Sequence, residues 1–169
     1  MKVYIYGAIK NYKARRAARF HMPGHKANRQ RIPLFKDAPL DITELPFADC
    51  LESPEGIIAD ARRDIADALG ARESFFLTDG SSCGVFAMIY IVRKRGGKVV
   101  IARNSHKSVY NACAALGVEP YIVQNNEKDG VLLPPTAADI ETALKKERDV
   151  TAVLITSPDY YGNVADLSA

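Results

Sequence analysis

Tryptophan is absent from the 169 residues, cysteine occurs three times, and no apolar run approaches the roughly 18 to 20 residues that a membrane helix needs. The apolar stretch after Met1 is also too short for a secretory signal, so a cytoplasmic protein is expected. Cys50, Cys83 and Cys113 form no C-x-x-C pair, so neither a disulfide framework nor a zinc site is indicated, and reduced, mostly buried thiols are the expectation. Acidic residues are missing from the first 36 positions, which hold ten Lys or Arg, whereas the rest carries thirteen basic and twenty acidic residues. What is present is ordinary globular composition, 47% hydrophobic and 25% charged with 11 Gly and 9 Pro. That excludes disorder, collagen and coiled coil.

The basic front end has two readings. One is attraction to polyanions; the other is an arm lying on an acidic body, its own or a symmetry mate's. Aromatic residues interleave only thinly (Tyr12, Phe20) and no nucleic-acid module motif is present, so the second is the expectation and nucleic acid is not the expected partner. With Pro23, Pro33, Pro39 and Pro46, residues 1–53 read as an extended arm with at most one short helix near 9–19.

From residue 54 onward two periodicities alternate. Ser53 as N-cap, Pro54 in the first turn and Gly70 after the last turn bracket an amphipathic helix. Then come an apolar strand over 74–78, a turn, a helix over 82–95 closed by Gly96-Gly97, a strand over 98–102 and a helix over 105–116 ended by Gly117. A strand over 120–124, a loop rich in Asn, Asp and Pro, a helix opened by the capping box Thr136-Ala137-Ala138-Asp139, and a strand over 150–155 complete the pattern. Four continuously apolar strands separated by helices specify a parallel sheet covered on both faces. Ligands of such sheets sit outside the carboxyl ends of the strands, which points to the loops at 79–82, 103–106, 125–126 and 156–162.

Chemistry at that rim falls on few side chains. Thr78-Asp79-Gly80-Ser81-Ser82-Cys83 lies between a strand and a helix, where first-turn N–H groups and hydroxyls suit a phosphate. It matches neither G-x-x-x-x-G-K-[ST] nor G-x-G-x-x-G, so no nucleotide is indicated, and two serines capping a helix fit equally. His106 opens the next helix on the same rim; its ring suits stacking on a planar ligand, proton exchange or a plain cap. His21 and His25 flank a Pro-Gly turn without a third ligand, which favours a turn that fixes the arm over a metal pair.

Six motifs in order carry a resemblance: Arg19-Phe20-His21-Met22-Pro23-Gly24-His25-Lys26, Asp41-Ile42-Thr43-Glu44, Ser53-Pro54-Glu55-Gly56, Gly80-Ser81-Ser82, Arg103-Asn104-Ser105-His106-Lys107-Ser108 and Ser157-Pro158-Asp159-Tyr160-Tyr161-Gly162. Over residues 19–162 the chain resembles the front of the ornithine/lysine/arginine decarboxylase family, in its form without an N-terminal wing. The resemblance implies an α/β, three-layer, mostly parallel sheet of the fold type I pyridoxal-phosphate-dependent class, truncated, with residues 1–53 as a basic arm and 54–169 as a partial cofactor-binding domain. It implies pyridoxal 5'-phosphate held by Gly80, Ser81, Ser82 and Ser157, with His106 stacked on its ring, and a homodimer that removes the α-carboxylate of arginine, lysine or ornithine in its full-length form. In that family the Schiff-base lysine and the aspartate paired with the pyridinium nitrogen lie beyond the segment matching Gly162, so an inactive amino-terminal portion is expected. Ser105-His106-Lys107 echoes the string around that lysine, but Arg103, Asn104 and Ser108 place it in the ring-stacking motif. Asp159 stands where Thr is common, and Ala27 where Gly is usual. An aminotransferase-type or aldolase-type enzyme of the same fold, and a non-catalytic module with a basic arm, stay open.

Overall fold

The computed structural model describes residues 4–30 and 32–166, so Lys2 and Arg31 of the basic front end lie outside the described residues. In chain order the elements are α1 (Tyr4–Ala14), a 3-10 turn (Ala38–Leu40), α2 (Ile57–Leu69), α3 (Gly80–Arg95), β1 (Lys98–Ala102), α4 (Lys107–Leu116), β2 (Pro120–Val123), β3 (Glu127–Lys128), β4 (Val131–Leu132), α5 (Ala137–Lys146) and β5 (Val150–Leu154). They fall into two compact units, residues 1–76 and 77–169.

In the first unit α1 packs against α2, and Ile5 and Ile9 line one hollow with Ile57 and Ile58. The helix of the arm thus starts earlier and ends earlier than the expected 9–19, because Ile5, Ala8, Ile9 and Tyr12 already give an apolar stripe. Its cations bind within the unit: Arg19 donates to the carbonyls of Pro39 and Asp41 at 2.7 and 3.3 Å, and its guanidinium lies 5.0 Å from the centre of the Tyr12 ring. The two histidines fix turns, as their Pro-Gly setting suggests. His25 Nε2 is 2.9 Å from Asp41 Oδ2 while its Nδ1 accepts the Ala27 N–H at 3.0 Å. His21 binds Met22 O through Nδ1 and the Tyr12 hydroxyl through Nε2, at 2.6 Å for the latter. All four ring nitrogens are engaged in hydrogen bonds.

α2 begins at Ile57 instead of at Pro54, and the reason is Asp49. Its carboxylate accepts the N–H groups of Cys50, Glu55, Gly56 and Ile58 at 2.8 to 3.0 Å, which answers the entry to the helix from outside it. At the other end Gly70 closes the helix with a left-handed backbone, as expected.

Residues 74–77 form no strand. An apolar run needs a paired neighbour to become one; here Phe75 and Leu77 are exposed, and Arg62 Nε takes the Ser74 carbonyl at 2.6 Å while Ser74 Oγ donates to Arg62 O. The sheet therefore has three parallel strands where four were expected, in the order β2-β1-β5.

That sheet is the middle layer of the second unit. Val99 and Ile101 of β1 point to a core built with Ile89 and Val92 of α3 and Val109, Ala112 and Cys113 of α4. Val100 points the other way, to Val123 and to Ala143 of α5. The period-two alternation of β1 is thus buried on both faces, as a central parallel strand requires. Gly97 enters β1 with φ 110°, and a Cβ there would lie 2.3 Å from the Asp149 carbonyl oxygen, so only glycine fits between the end of α3 and the start of β5. A two-stranded hairpin, β3-β4 about Asp129-Gly130, stands in the loop rich in Asn, Asp and Pro. Of the thiols only Cys113 is buried; Cys83 is exposed and Cys50 half-buried, its Sγ–H donating to Glu44 Oε1 at 3.1 Å. No helix among the described residues is long and apolar enough to cross a membrane.

Candidate functional site

α3 feeds β1 at its amino end through Gly96-Gly97, and α4 leaves the carboxyl end of β1 after a short turn. Both helices run against the strand on the same face of the sheet, so they are parallel and their amino ends lie toward its carboxyl rim. Gly80, Ser81 and Ser82 form the first turn of α3, His106 is the N-cap of α4, and Ser157 follows β5 at the same rim.

The four helices α2 to α5 differ at their entries. α2 receives Asp49, α4 receives its own His106, and α5 has the expected capping box, in which Thr136 and Asp139 answer each other's backbone N–H. α3 has no such acceptor. Asp79, at its N-cap, makes no side-chain cap bond, and among the described residues nothing accepts from the N–H groups of Gly80, Ser81 or Ser82. These three residues are exposed, and Gly80 takes φ 74°, which turns the chain into the helix where a side chain would be strained. Open amides at the positive end of a 16-residue helix are suited to an anion.

His106 is exposed, and Nδ1 accepts the Ser108 N–H at 3.2 Å, with the Ser108 hydroxyl at 2.9 Å. An Nδ1 that accepts a main-chain N–H carries no proton in the neutral ring, so Nε2–H is the outward donor. The cap also restrains the ring against its own helix. One residue earlier, Ser105 is buried and its Oγ has no hydrogen-bond partner among the described residues, a polar atom left over at the base of the turn. Ser157 Oγ accepts the Ala165 N–H at 3.0 Å and keeps its own proton free to donate.

A polar chain that the sequence reading did not identify joins these loops. Asp159 is buried and accepts from Asn104 Nδ2, Asn163 Nδ2 and the N–H groups of Tyr161 and Asn163. Asn104 Oδ1 in turn accepts from Asn125 Nδ2, and Asn125 Oδ1 accepts the Arg103 N–H. The Asn163 amide, followed by main-chain bonds and the Asn104 amide, holds the Asp159 carboxyl below its ordinary range against the opposing effect of desolvation. Each of the three rim loops had been singled out from its position after a strand; the pairing of Asn104, Asn125 and Asp159 leaves no periodic or motif signal. Among the described residues no hydrogen bond joins the Gly80–Ser82 turn to His106 or to Ser157.

Comparison with known proteins adds identity to this geometry. A family model described as the Orn/Lys/Arg decarboxylase major domain matches residues 4–169. An arginine decarboxylase of Bacillus subtilis is 31% identical over 174 residues, 98% of this chain and 35% of that protein, and another of Bacillus cereus is 30% identical over 171 residues, 96% and 37%. Among solved structures, the constitutive lysine decarboxylase of E. coli superposes with a TM-score of 0.72 at 25% identity, over 92% of this chain and 25% of that one. Lysine decarboxylase A of Pseudomonas aeruginosa shares the fold, with a TM-score of 0.73. The chain spans about a third of the length of the curated relatives it matches.

Proposed function

The chain belongs to the Orn/Lys/Arg decarboxylase family, and from that premise we propose that it forms the part of a pyridoxal-phosphate-dependent basic amino-acid decarboxylase that holds the cofactor phosphate and covers its ring. The observation that carries this reading is the unanswered first turn of α3, the one entry among α2 to α5 with no acceptor of its own. The residues present fit the group. Among the described residues the N–H groups of Gly80, Ser81 and Ser82 and the hydroxyls of the two serines are donors without partners, the Ser157 hydroxyl keeps a proton to give, and the Ser105 Oγ has no partner either.

In this reading Ser81 and Ser82 bind the dianion, with the α3 dipole adding to their bonds. His106, fixed by its bond from Ser108, presents its ring face to the pyridine, and Ser157 adds a donor from the loop after β5. When bound, the cofactor supplies an electron sink for the pair left as carbon dioxide departs. Lys107 is the first residue of α4 and His106 its N-cap with extended backbone (φ −60°, ψ 146°), and the stacking role falls to His106 alone. In this reading these residues hold the cofactor, and arginine, lysine or ornithine is the substrate of the complete site. Cytoplasmic location and homodimeric assembly belong to the same proposal.

Absorbance titration with pyridoxal phosphate tests it. Binding is expected, with Ser82→Ala weakening it by roughly 1 kcal/mol, about fivefold, as for one lost hydrogen bond. Borohydride treatment should leave no label on Lys107. Unchanged affinity in Ser82→Ala removes that residue from the site, and no binding at all removes the proposal.

A further inference from the structure

We infer that Asp159 is the positioning residue of the rim, setting the loop that carries Ser157 and, through Asn104 and Asn125, the turn that carries His106. Its purpose rests on the cofactor reading above; the coupling itself rests on the hydrogen bonds.

The direction of every bond in the chain is forced from its ends. A carboxylate only accepts, so Asn104 must turn Nδ2 toward Asp159 Oδ2, at 3.3 Å, and Oδ1 away. That Oδ1 can then take only a donor, which is Asn125 Nδ2 at 3.1 Å. Asn125 in turn has Oδ1 free for a donor, and the Arg103 N–H supplies it at 3.0 Å while Asn125 Nδ2 also reaches the Leu133 carbonyl. A main-chain N–H at one end and a carboxylate at the other therefore fix two side-chain amides that would otherwise flip. The chain crosses the carboxyl ends of β2, β1 and β5 in spatial order.

On the far side of Asp159 the loop is wrapped around the same two oxygens. Oδ1 accepts the N–H groups of Tyr161 and Asn163, both at 2.9 Å, and Oδ2 accepts Asn163 Nδ2 at 3.0 Å. The backbone closes the ring, with Asp159 N–H on Asn163 O and Gly162 N–H on Asp159 O. With four donors on two oxygens, Asp159 has no lone pair left for the cationic end of a substrate. Its work is to hold loops.

The turn before His106 is fixed at each step that Asn104 touches: Ser105 N–H binds Ala102 O, Arg103 N–H also reaches Val123 O, and the Tyr110 hydroxyl donates to Arg103 O at 2.8 Å. A change at Asp159 must then reach Arg103 and His106 through the two amides. A residue that served its own loop alone would not.

NMR of the whole chain separates the two roles. Asp159→Asn keeps the shape but offers an N–H₂ where acceptors are needed, and Asn104→Ala cuts the chain from the other side while leaving in place the three donors that the Asp159 loop itself supplies. The expected result is that Asp159→Asn speeds amide exchange at Tyr161 and Asn163, and also at Arg103, by roughly tenfold, as for loss of a charge-assisted bond. It also shifts the His106 imidazole nitrogens, Asn104→Ala gives the same shift at Arg103 and His106, and the double variant adds nothing further there. Faster exchange confined to 157–163, with Arg103 and His106 unmoved, overturns the inference. So do shifts from the two variants that simply add. If Asp159→Asn does not fold, Asn104→Ala alone decides, by whether Tyr161 and Asn163 lose protection. Coupling with no binding of pyridoxal phosphate would leave this inference standing and remove the cofactor reading.

Discussion

Asp49 stands with φ 68°, and its carboxylate gathers amide protons from the residue after it and from the entry to α2. Desolvation pushes its pKa up, but N–H groups of Glu55, Cys50, Gly56 and Ile58 outweigh that and hold it far below the ordinary value. A carboxyl with a lowered folded-state pKa stabilises the protein fully above its unfolded value, and the contribution fades as pH falls through about 4 and below. Asp49→Asn tolerates the left-handed backbone yet replaces one of the two acceptor oxygens with an N–H₂ donor. The variant should melt lower than the parent at pH 7, with the gap narrowing as pH drops below about 4. A gap that stays constant from pH 7 to pH 3 in thermal melts would show that the ionised carboxylate is not what holds this turn. Sequence offers no clue here: the acceptor lies six to nine residues before the amides it serves at the helix entry, beyond any local capping pattern, whereas Ser53 and Pro54 carry a local signal for an earlier start.

Elements with local signals were legible and those needing a partner were not. β1 occupies the expected 98–102, α5 opens on its Thr136 to Asp139 box, and Gly70 and Gly117 close their helices with left-handed backbones. Each is decided within four or five residues. The run at 74–77 has strand composition but no paired neighbour, and its backbone goes to Arg62 instead. The rim was found because it follows from strand order, whereas the Asn104, Asn125 and Asp159 chain joins residues up to 55 apart. Two changes test the element scale. Thr136→Ala removes one half of the capping box and should cost about 1 kcal/mol in a urea titration. Gly97→Ala should cost more, on the order of 3 kcal/mol, since it combines a strained backbone with a clash against the Asp149 carbonyl. A Gly97→Ala protein as stable as the parent would mean that the junction of α3 with β1 yields easily.

At the scale of the molecule, apolar surface remains uncovered. On α3, Met88, Tyr90 and Ile91 are about half exposed, and the outer edge of β5 has no neighbour strand among the described residues. Surface of this kind favours association. Sedimentation velocity should show the 169-residue chain self-associating as its concentration rises, and a monomer at all concentrations would contradict that. The central claim concerns the rim: one anionic ligand spans the open turn of α3 and the capped histidine of α4. The direct measurement is a titration of the isotope-labelled chain with pyridoxal phosphate, followed at the amides of Gly80, Ser81 and Ser82 and at the ring of His106. These signals should move along a single saturable isotherm, and pyridoxal without its phosphate should leave the three amides in place. Amides that stay still, or a His106 ring that stays still while they move, would contradict the account.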